Sequence, residues 1–322
     1  MERRIAMGSK ITVIGAGSVG ATITYTLSQE TFVSELVMID INKDKVDGEA
    51  MDIVQGTAFR DPISIVSGTY EDAKDSDIVI ITSGLPRKPG QTRIELAQTN
   101  VNIVKSIARE CVPYAPNAVY VIVANPVDVM TYAFLKVSGL PENQVIGSGT
   151  LLDTTRLRYV LSDKLEIAQR NIHAYVFGEH GDSSYVPWSC TNISGVPFEE
   201  YEAVAKSMGK EIKPFTHEEM EDYVHKSGGE IIKRKGATFY GVAKAVVKLC
   251  GMLCAASDSI TTVSSILHGE YGVTDVCTSC LTVVGPGGVK GKLEPKLTEE
   301  EIEKFQDSAN KLKAVIAELD LN

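Results

Sequence analysis

The first half of the chain is written in short, unbroken apolar runs separated by amphipathic stretches. The runs are Lys10–Gly15, Leu36–Ile41, Ile78–Ser83 and Val119–Ala124, all rich in valine and isoleucine. Apolar runs without polar alternation predict strands buried on both faces. Between them, Ser18–Gln29, Lys43–Gln55 and Thr92–Glu110 carry apolar residues at helical spacing. Strands alternating with helices predict an α/β class, with a doubly wound parallel sheet covered on both sides.

The texture changes at about Gly149. A helix near Leu151–Leu161 is followed by strand-like segments from Asn171–Phe177, and a helix-rich stretch begins at Phe198. The last helix is the best marked. Thr298 and Glu301 form a capping box ahead of Ile302, Phe305, Ala309, Leu312 and Ile316. With no Pro/Gly/Ser linker in between, the pattern predicts two packed units, residues 1–148 and a second α+β unit over 149–322.

A length of 322 residues suits two domains. The net charge of −10 argues against a nucleic-acid surface and against anionic membranes, while leaving room for a local arginine cluster that binds a small anion. The longest apolar stretch, Val246–Val263, is broken by Lys248 and Asp258 and is not expected to span a membrane. The start of the chain has no apolar run of signal-peptide length, and Met7 is an alternative start. A cytoplasmic protein with six reduced cysteines is therefore expected. Cys277 and Cys280 form a C-x-x-C, with Cys250 and Cys254 upstream. A helical pair and an extended pair would converge poorly on one ion, so the expectation is small buried apolar side chains and no metal.

Gly15-Ala-Gly17-Ser-Val19-Gly20 is G-x-G-x-x-G, and it lies between a predicted strand and a predicted helix. Asp40 ends the next strand. That context fits the dinucleotide-binding fingerprint of a Rossmann sheet. Gly15 allows the tight turn, Gly17 lets backbone approach a pyrophosphate, and Gly20 lets helix and strand pack closely. Asp40 can accept hydrogen bonds from both ribose hydroxyls and repels a 2′-phosphate, which favours NAD over NADP.

Three further segments carry chemistry. Gly178-Glu-His180-Gly-Asp182 sets a histidine between glycines after a strand, and an imidazole suits proton transfer near neutrality. Asp153 and Arg156 are spaced to share one face of a helix. Gly84-Leu-Pro86-Arg87-Lys-Pro89-Gly90-Gln-Thr-Arg93 is a proline-stiffened loop delivering arginines.

Together with Asn125-Pro126-Val127-Asp128, these segments, in this order, resemble the lactate/malate dehydrogenase superfamily from about Lys10 to the C-terminus. The resemblance implies an NAD-dependent enzyme of 2-oxo and 2-hydroxy acids, a homotetramer with a place in fermentative glycolysis. It implies that His180 is the acid–base group, that Asp153 holds its ring, and that Arg156 clamps the substrate carboxylate with two hydrogen bonds. Arg93 would close over the site and stabilise charge on the carbonyl oxygen, which Asn125 would also hydrogen-bond; Thr238 would line the pocket. Val19, Lys45, Tyr70, Gly84 and Asn125 would join Gly15, Gly17, Gly20 and Asp40 around the cofactor.

The substrate is less plain. Pro86-Arg87-Lys88-Pro89-Gly90 resembles the malate form, in which Arg87 pairs a second carboxylate. A pyruvate methyl would leave that guanidinium unpaired, at about 3–5 kcal/mol if buried. Gly147–Arg156, Gly178-Glu179-His180 and Lys235-Gly236-Ala237-Thr238 instead resemble the lactate branch, closest to its bacterial members. An Arg87 on a mobile loop could turn into water. L-lactate dehydrogenase chemistry is the leading expectation, malate dehydrogenase the alternative, and dual specificity a variant of either. Arg158 and His173 stand where bacterial relatives build a fructose 1,6-bisphosphate site. A catalytically silent NAD-binding sensor on the same fold is the rival from another class.

Overall fold

A computed structural model of the chain describes residues 8–59, 61–86 and 92–321. Strands β1 (Ser9–Ile14), β2 (Val33–Ile39), β3 (Ser64–Ser67), β4 (Ile78–Ile81), β5 (Val119–Ile122) and β6 (Val145–Gly147) pair in parallel, in the order β6-β5-β4-β1-β2-β3. Helices α1 (Ser18–Leu27), α2 (Lys43–Gln55), α3 (Arg93–Cys111) and α4 (Val127–Ser138) connect them. The unbroken apolar runs are explained by burial on both faces. Ile11, Val13, Ile78, Ile80, Val119 and Val121 pack into one core, while Ile14, Val79, Ile81, Tyr120 and Ile122 pack into another on the opposite side. The chain leaves β1 in one direction and returns to its other edge at β4, so the carboxyl ends of β1 and β4 flank a switch-point crevice.

The parallel sheet is extended by strands from beyond residue 148. Strands β10 (Ser259–His268), β11 (Thr274–Gly285) and β12 (Gly288–Lys292) continue it in antiparallel fashion, joined to β6 through Ser264 opposite Gly147. Among the described residues this gives one nine-stranded mixed sheet. Helix α8 (Tyr240–Cys254) covers one face beside α1, and α9 (Glu299–Ala317) covers the other beside α4. The expected strand Asn171–Phe177 shrinks to β7 (Ile172–His173), which forms a small sheet with β8 (Asn192–Ile193) and β9 (Val196–Pro197). A third core, including Leu157, Leu161, Ile172, Val186 and Val224, joins this sheet to α5 (Leu151–Leu165), α6 (Phe198–Ser207) and α7 (His217–Lys235).

Cys277 and Cys280 lie on β11, and Cys250 and Cys254 on α8. Cys250, Cys277 and Cys280 are fully buried, and burial pushes all three thiols up from their ordinary pKa. They fill space as small apolar groups. Among the described residues no helix is long and apolar enough to cross a membrane.

Candidate active site

The glycine turn joins β1 to α1. Gly15 has φ +106°, a conformation that disfavours any side chain. A Cβ on Gly20 would lie 1.7 Å from the Gly15 carbonyl oxygen, so helix and turn touch only because Gly20 has none. At Gly17, the N-cap of α1, a Cβ would meet nothing within 4 Å, and no side chain caps the helix. Open space over uncapped N–H groups at a helix N-terminus is what an anionic pyrophosphate requires. The Asp40 carboxylate is fixed beside this turn, accepting the Ala16 N–H at 2.6 Å and the Asn42 N–H at 2.9 Å. These residues fit a dinucleotide. Gly20→Ala is expected to cost about 1–3 kcal/mol through overpacking and to weaken NADH binding. Denaturant midpoints and NADH fluorescence titrations check it; unchanged values in both would count against this account of the turn.

The turn opens into a cleft of about 590 Å³ whose walls include Gly17, Val19, Gly20, Gly84, Asn125, Asp153, Arg156, His180 and Thr238. Segments far apart in sequence thus meet in one cleft. Asp40, Lys45 and Tyr70 are not on its walls. Asp40 is at the neighbouring turn and Lys45 is exposed on α2. Tyr70 is half-buried, its hydroxyl pushed up to about 12 by burial and by nearby Glu110, Cys111 and Asp40. Arg93 is the first residue of α3; it does not itself line the cleft, but its exposed guanidinium reaches Asp182 on the cleft wall at 3.4 Å. Arg87 lies outside the described residues.

His180 and Asp153 form the centre. His180 Nδ1 is 2.5 Å from Asp153 Oδ2, and Arg156 Nη1 donates to Asp153 Oδ1 at 3.0 Å. One buried carboxylate therefore serves both the ring and the guanidinium. Its place in the first turn of α5 adds favourable helix-dipole potential. Burial would lower the His180 pKa, but the Asp153 charge and hydrogen bond outweigh it and the net shift is upward. For Asp153, burial acts upward and is outweighed by His180 and Arg156, so its carboxyl stays below the ordinary range. The ring's other nitrogen, Nε2, is left for a ligand in the cleft.

The His180 backbone is pinned from three sides. Gly178, at φ +89°, exchanges hydrogen bonds with Ser279 of β11 (2.9 and 3.1 Å). The Glu179 N–H donates to Ser308 Oγ of α9 at 2.9 Å, and the His180 N–H donates to Asp128 Oδ2 of α4 at 2.8 Å. Reading by motif did not assign Asp128 a role. It is 1 % exposed, and burial pushes its carboxyl up to about 6, against the lowering effects of Ser264 and His180. Its signal in sequence is a lone carboxylate in the apolar helix Val-Asp-Val-Met-Thr-Tyr-Ala-Phe-Leu.

Asn100 was also missed. From α3 it accepts the Leu85 N–H at 2.8 Å and donates to the Asn125 carbonyl at 2.8 Å, tying the start of the arginine loop to the cleft wall. Arg158 and His173 sit elsewhere. The half-buried Arg158 donates from Nε to the Ala174 carbonyl at 3.0 Å and lies over the Tyr175 ring, while His173 is exposed on β7.

Comparison with known proteins agrees with this geometry. Residues 9–147 match the family description "lactate/malate dehydrogenase, NAD binding domain", and residues 150–320 match "lactate/malate dehydrogenase, alpha/beta C-terminal domain". L-lactate dehydrogenase 1 of Clostridium acetobutylicum is 47% identical over 306 residues, 95% of this chain and 96% of that protein. The L-lactate dehydrogenase of Thermoanaerobacter pseudethanolicus is 46% identical over 313 residues, 97% of this chain and all of that protein. Among solved structures, the minor L-lactate dehydrogenase from Enterococcus mundtii in its ligands-bound form superposes with a TM-score of 0.92 at 36% identity, covering 98% of this chain and 99% of that one. A lactate dehydrogenase from a Medee basin deep-sea metagenome library gives 0.90 at 38% identity, covering 97% and 98%. With a glycine turn shaped for a dinucleotide, a His–Asp–Arg chain in the adjoining cleft, and both halves matched, the chain belongs to the lactate/malate dehydrogenase family.

Proposed function

We propose that this chain is an NAD-dependent L-lactate dehydrogenase in which His180 exchanges a proton with the substrate oxygen. The observation that carries this reading is the shared Asp153 carboxylate, with a proton donor on one oxygen and a carboxylate clamp on the other. Gly15, Gly17, Val19, Gly20, Gly84 and Asn125 would hold the cofactor along the cleft, with Asp40, Lys45 and Tyr70 toward its ribose end. Bound NADH supplies the hydride that reduces the 2-oxo carbon.

The remaining steps belong to side chains. Arg156 presents two N–H groups to the substrate carboxylate and fixes the oxo acid in one orientation. Asp153, ionised, accepts a hydrogen bond from His180 Nδ1–H, leaving Nε2–H of the imidazolium to donate its proton to the carbonyl oxygen as charge develops there. Asn125 hydrogen-bonds the same oxygen, and Thr238 walls the substrate side chain. Arg93 swings inward from its surface contact with Asp182 to stabilise that charge; an ion pair so exposed holds it weakly. Residues 1–148 hold the cofactor, and residues 149–322 supply His180 and the carboxylate clamp.

Protonated His180 is the reducing form, and its pKa is raised. Pyruvate reduction should therefore persist through neutral pH and decline as pH climbs past the raised value. Asp153→Asn removes the charge that raises it, so the decline should move to lower pH. Profiles of kcat/KM against pH for both proteins measure this, and coincident profiles would argue against the Asp153 role.

Pyruvate is the proposed substrate, and parallel NADH-oxidation assays with pyruvate and oxaloacetate test it. Preference for oxaloacetate would replace the reading with malate dehydrogenase, with Arg87 pairing the second carboxylate. Activity with neither would favour an NAD-binding sensor. Arg87→Gln is expected to shift preference further toward pyruvate.

A cytoplasmic homotetramer in fermentative glycolysis completes the proposal. Exposed Tyr25, Met51 and Tyr240, on neighbouring α1, α2 and α8, support self-association. Fructose 1,6-bisphosphate is proposed to bind Arg158 and His173. Arg158 already reaches Ala174, the neighbour of His173, so one phosphate can bridge both once that guanidinium leaves the carbonyl. Titrating the sugar bisphosphate while following pyruvate affinity and assembly decides it; no change in either would end this part of the reading.

A further inference from the structure

Two carboxylates meet His180. Asp153 of α5 holds the ring, and Asp128, in the first turn of α4, accepts the His180 N–H on Oδ2 at 2.8 Å. The second is the harder to account for. Asp128 is buried, and its other oxygen, Oδ1, is enclosed without a hydrogen-bond partner among the described residues. The nearby Ser264 hydroxyl of β10 favours the ionised carboxyl without closing a hydrogen bond to it. A buried carboxylate is a costly way to hold one N–H, since a neutral amide of the same shape would accept it too. What an amide could not supply is negative charge, and the imidazolium is the group that receives it. Burial acts to lower the His180 pKa, and Asp153 and then Asp128 act to raise it. The titratable groups facing Asp128 are His180 and Glu179 on its loop and Cys277 of β11. Glu179 is engaged by the Ser183 hydroxyl, and burial pushes the Cys277 thiol up from its ordinary pKa, which keeps it uncharged.

We propose that Asp128 is a positioning residue for proton transfer: its ionised carboxylate, bonded to the His180 main chain while Asp153 holds the ring, fixes the imidazole in the cleft and supports its protonated form. This rests on the dehydrogenase reading above. Asp128 acts through His180 and touches neither substrate nor cofactor.

The experiment follows kcat/KM for pyruvate reduction by NADH against pH in the full chain, for the wild type, Asp128→Asn and Asp128→Ala. Asparagine keeps the shape and can still accept the His180 N–H, so the charge alone is lost. The ratio of alkaline to acid kcat/KM should fall by at least about threefold in Asp128→Asn, because the imidazolium loses a nearby negative charge. Asp128→Ala also loses the acceptor and should be slower than Asp128→Asn by about tenfold or more at every pH. Melting temperatures give an independent measure. Burial pushes the Asp128 carboxyl up to about 6, so its ionisation weighs against folding as pH rises from the ordinary carboxylate range through that value. Relative to the wild type, Asp128→Asn should therefore gain melting temperature between about pH 4 and about pH 7. Coincident pH profiles of the wild type and Asp128→Asn, or an Asp128→Ala as fast as Asp128→Asn, overturn the proposal and leave the dehydrogenase intact. So does a melting difference that is flat with pH or favours the wild type at neutral pH, since either makes Asp128 a residue of the fold alone. Absence of NADH oxidation by the wild type with any oxo acid overturns the underlying reading, and this inference with it.

Discussion

Replacing His180 by asparagine is expected to lower pyruvate turnover by at least about 10²-fold while NADH still binds. Asparagine can offer an N–H to Asp153 and so leave the carboxylate satisfied, but it cannot hand a proton to the substrate oxygen. The glycine turn and Asp40 are built from other segments, which is why cofactor affinity should survive. Steady-state kinetics beside an NADH titration separates the two. Turnover within about threefold of wild type would remove His180 from the chemistry.

Arg156→Gln is the second large effect. Truncating one partner of a buried charged contact costs about 2–5 kcal/mol, or roughly 30- to several-thousand-fold in kcat/KM. Two losses combine here. The substrate carboxylate loses its forked donor, and Asp153 Oδ1 loses its 3.0 Å partner, so Asp153 binds a proton more readily and supports the imidazolium less well. Arg156→Lys should recover only part, since an ammonium restores charge without the planar fork. A fall in kcat/KM below about threefold in Arg156→Gln would show that the carboxylate is held elsewhere.

Much of this site was legible because its chemistry is local in sequence. The glycine turn is six consecutive residues, Asp153 and Arg156 are one helical turn apart, and His180 announces itself between glycines. The strands β1, β4 and β5 were legible because burial on both faces favours apolar side chains, the buried Thr12 of β1 being accommodated by its hydrogen bond with Ser76. What stayed hidden depends on contacts distant in sequence. Asn100 acts by bridging Leu85 and Asn125, and Asp128 by receiving the His180 N–H, neither of which periodicity encodes. Helix α4 is buried over nearly its whole surface, so its apolar run carries no helical stripe to read. Strands β10 and β11 hide behind buried Thr, Ser and Cys, residues that look polar in sequence but are enclosed between α4, α8 and α9. Arg93 closes the proline-stiffened loop in sequence and opens the helix expected from Thr92, and the capping box of Thr92 and Glu95 sets it as the first residue of α3.

The union of β6 with β10 bears on how the protein is made. Gly147 leaves the ribosome 117 residues before its sheet partner Ser264. At a synthesis rate of about 5–20 residues per second, the outer edge of β6 stays unpaired for roughly 6–23 s. During that interval a growing chain presents a bare strand edge, the feature that invites pairing with neighbouring chains on a polysome. Crowded, rapid expression should therefore harm this protein more through misassociation of nascent chains than through any weakness of the finished sheet.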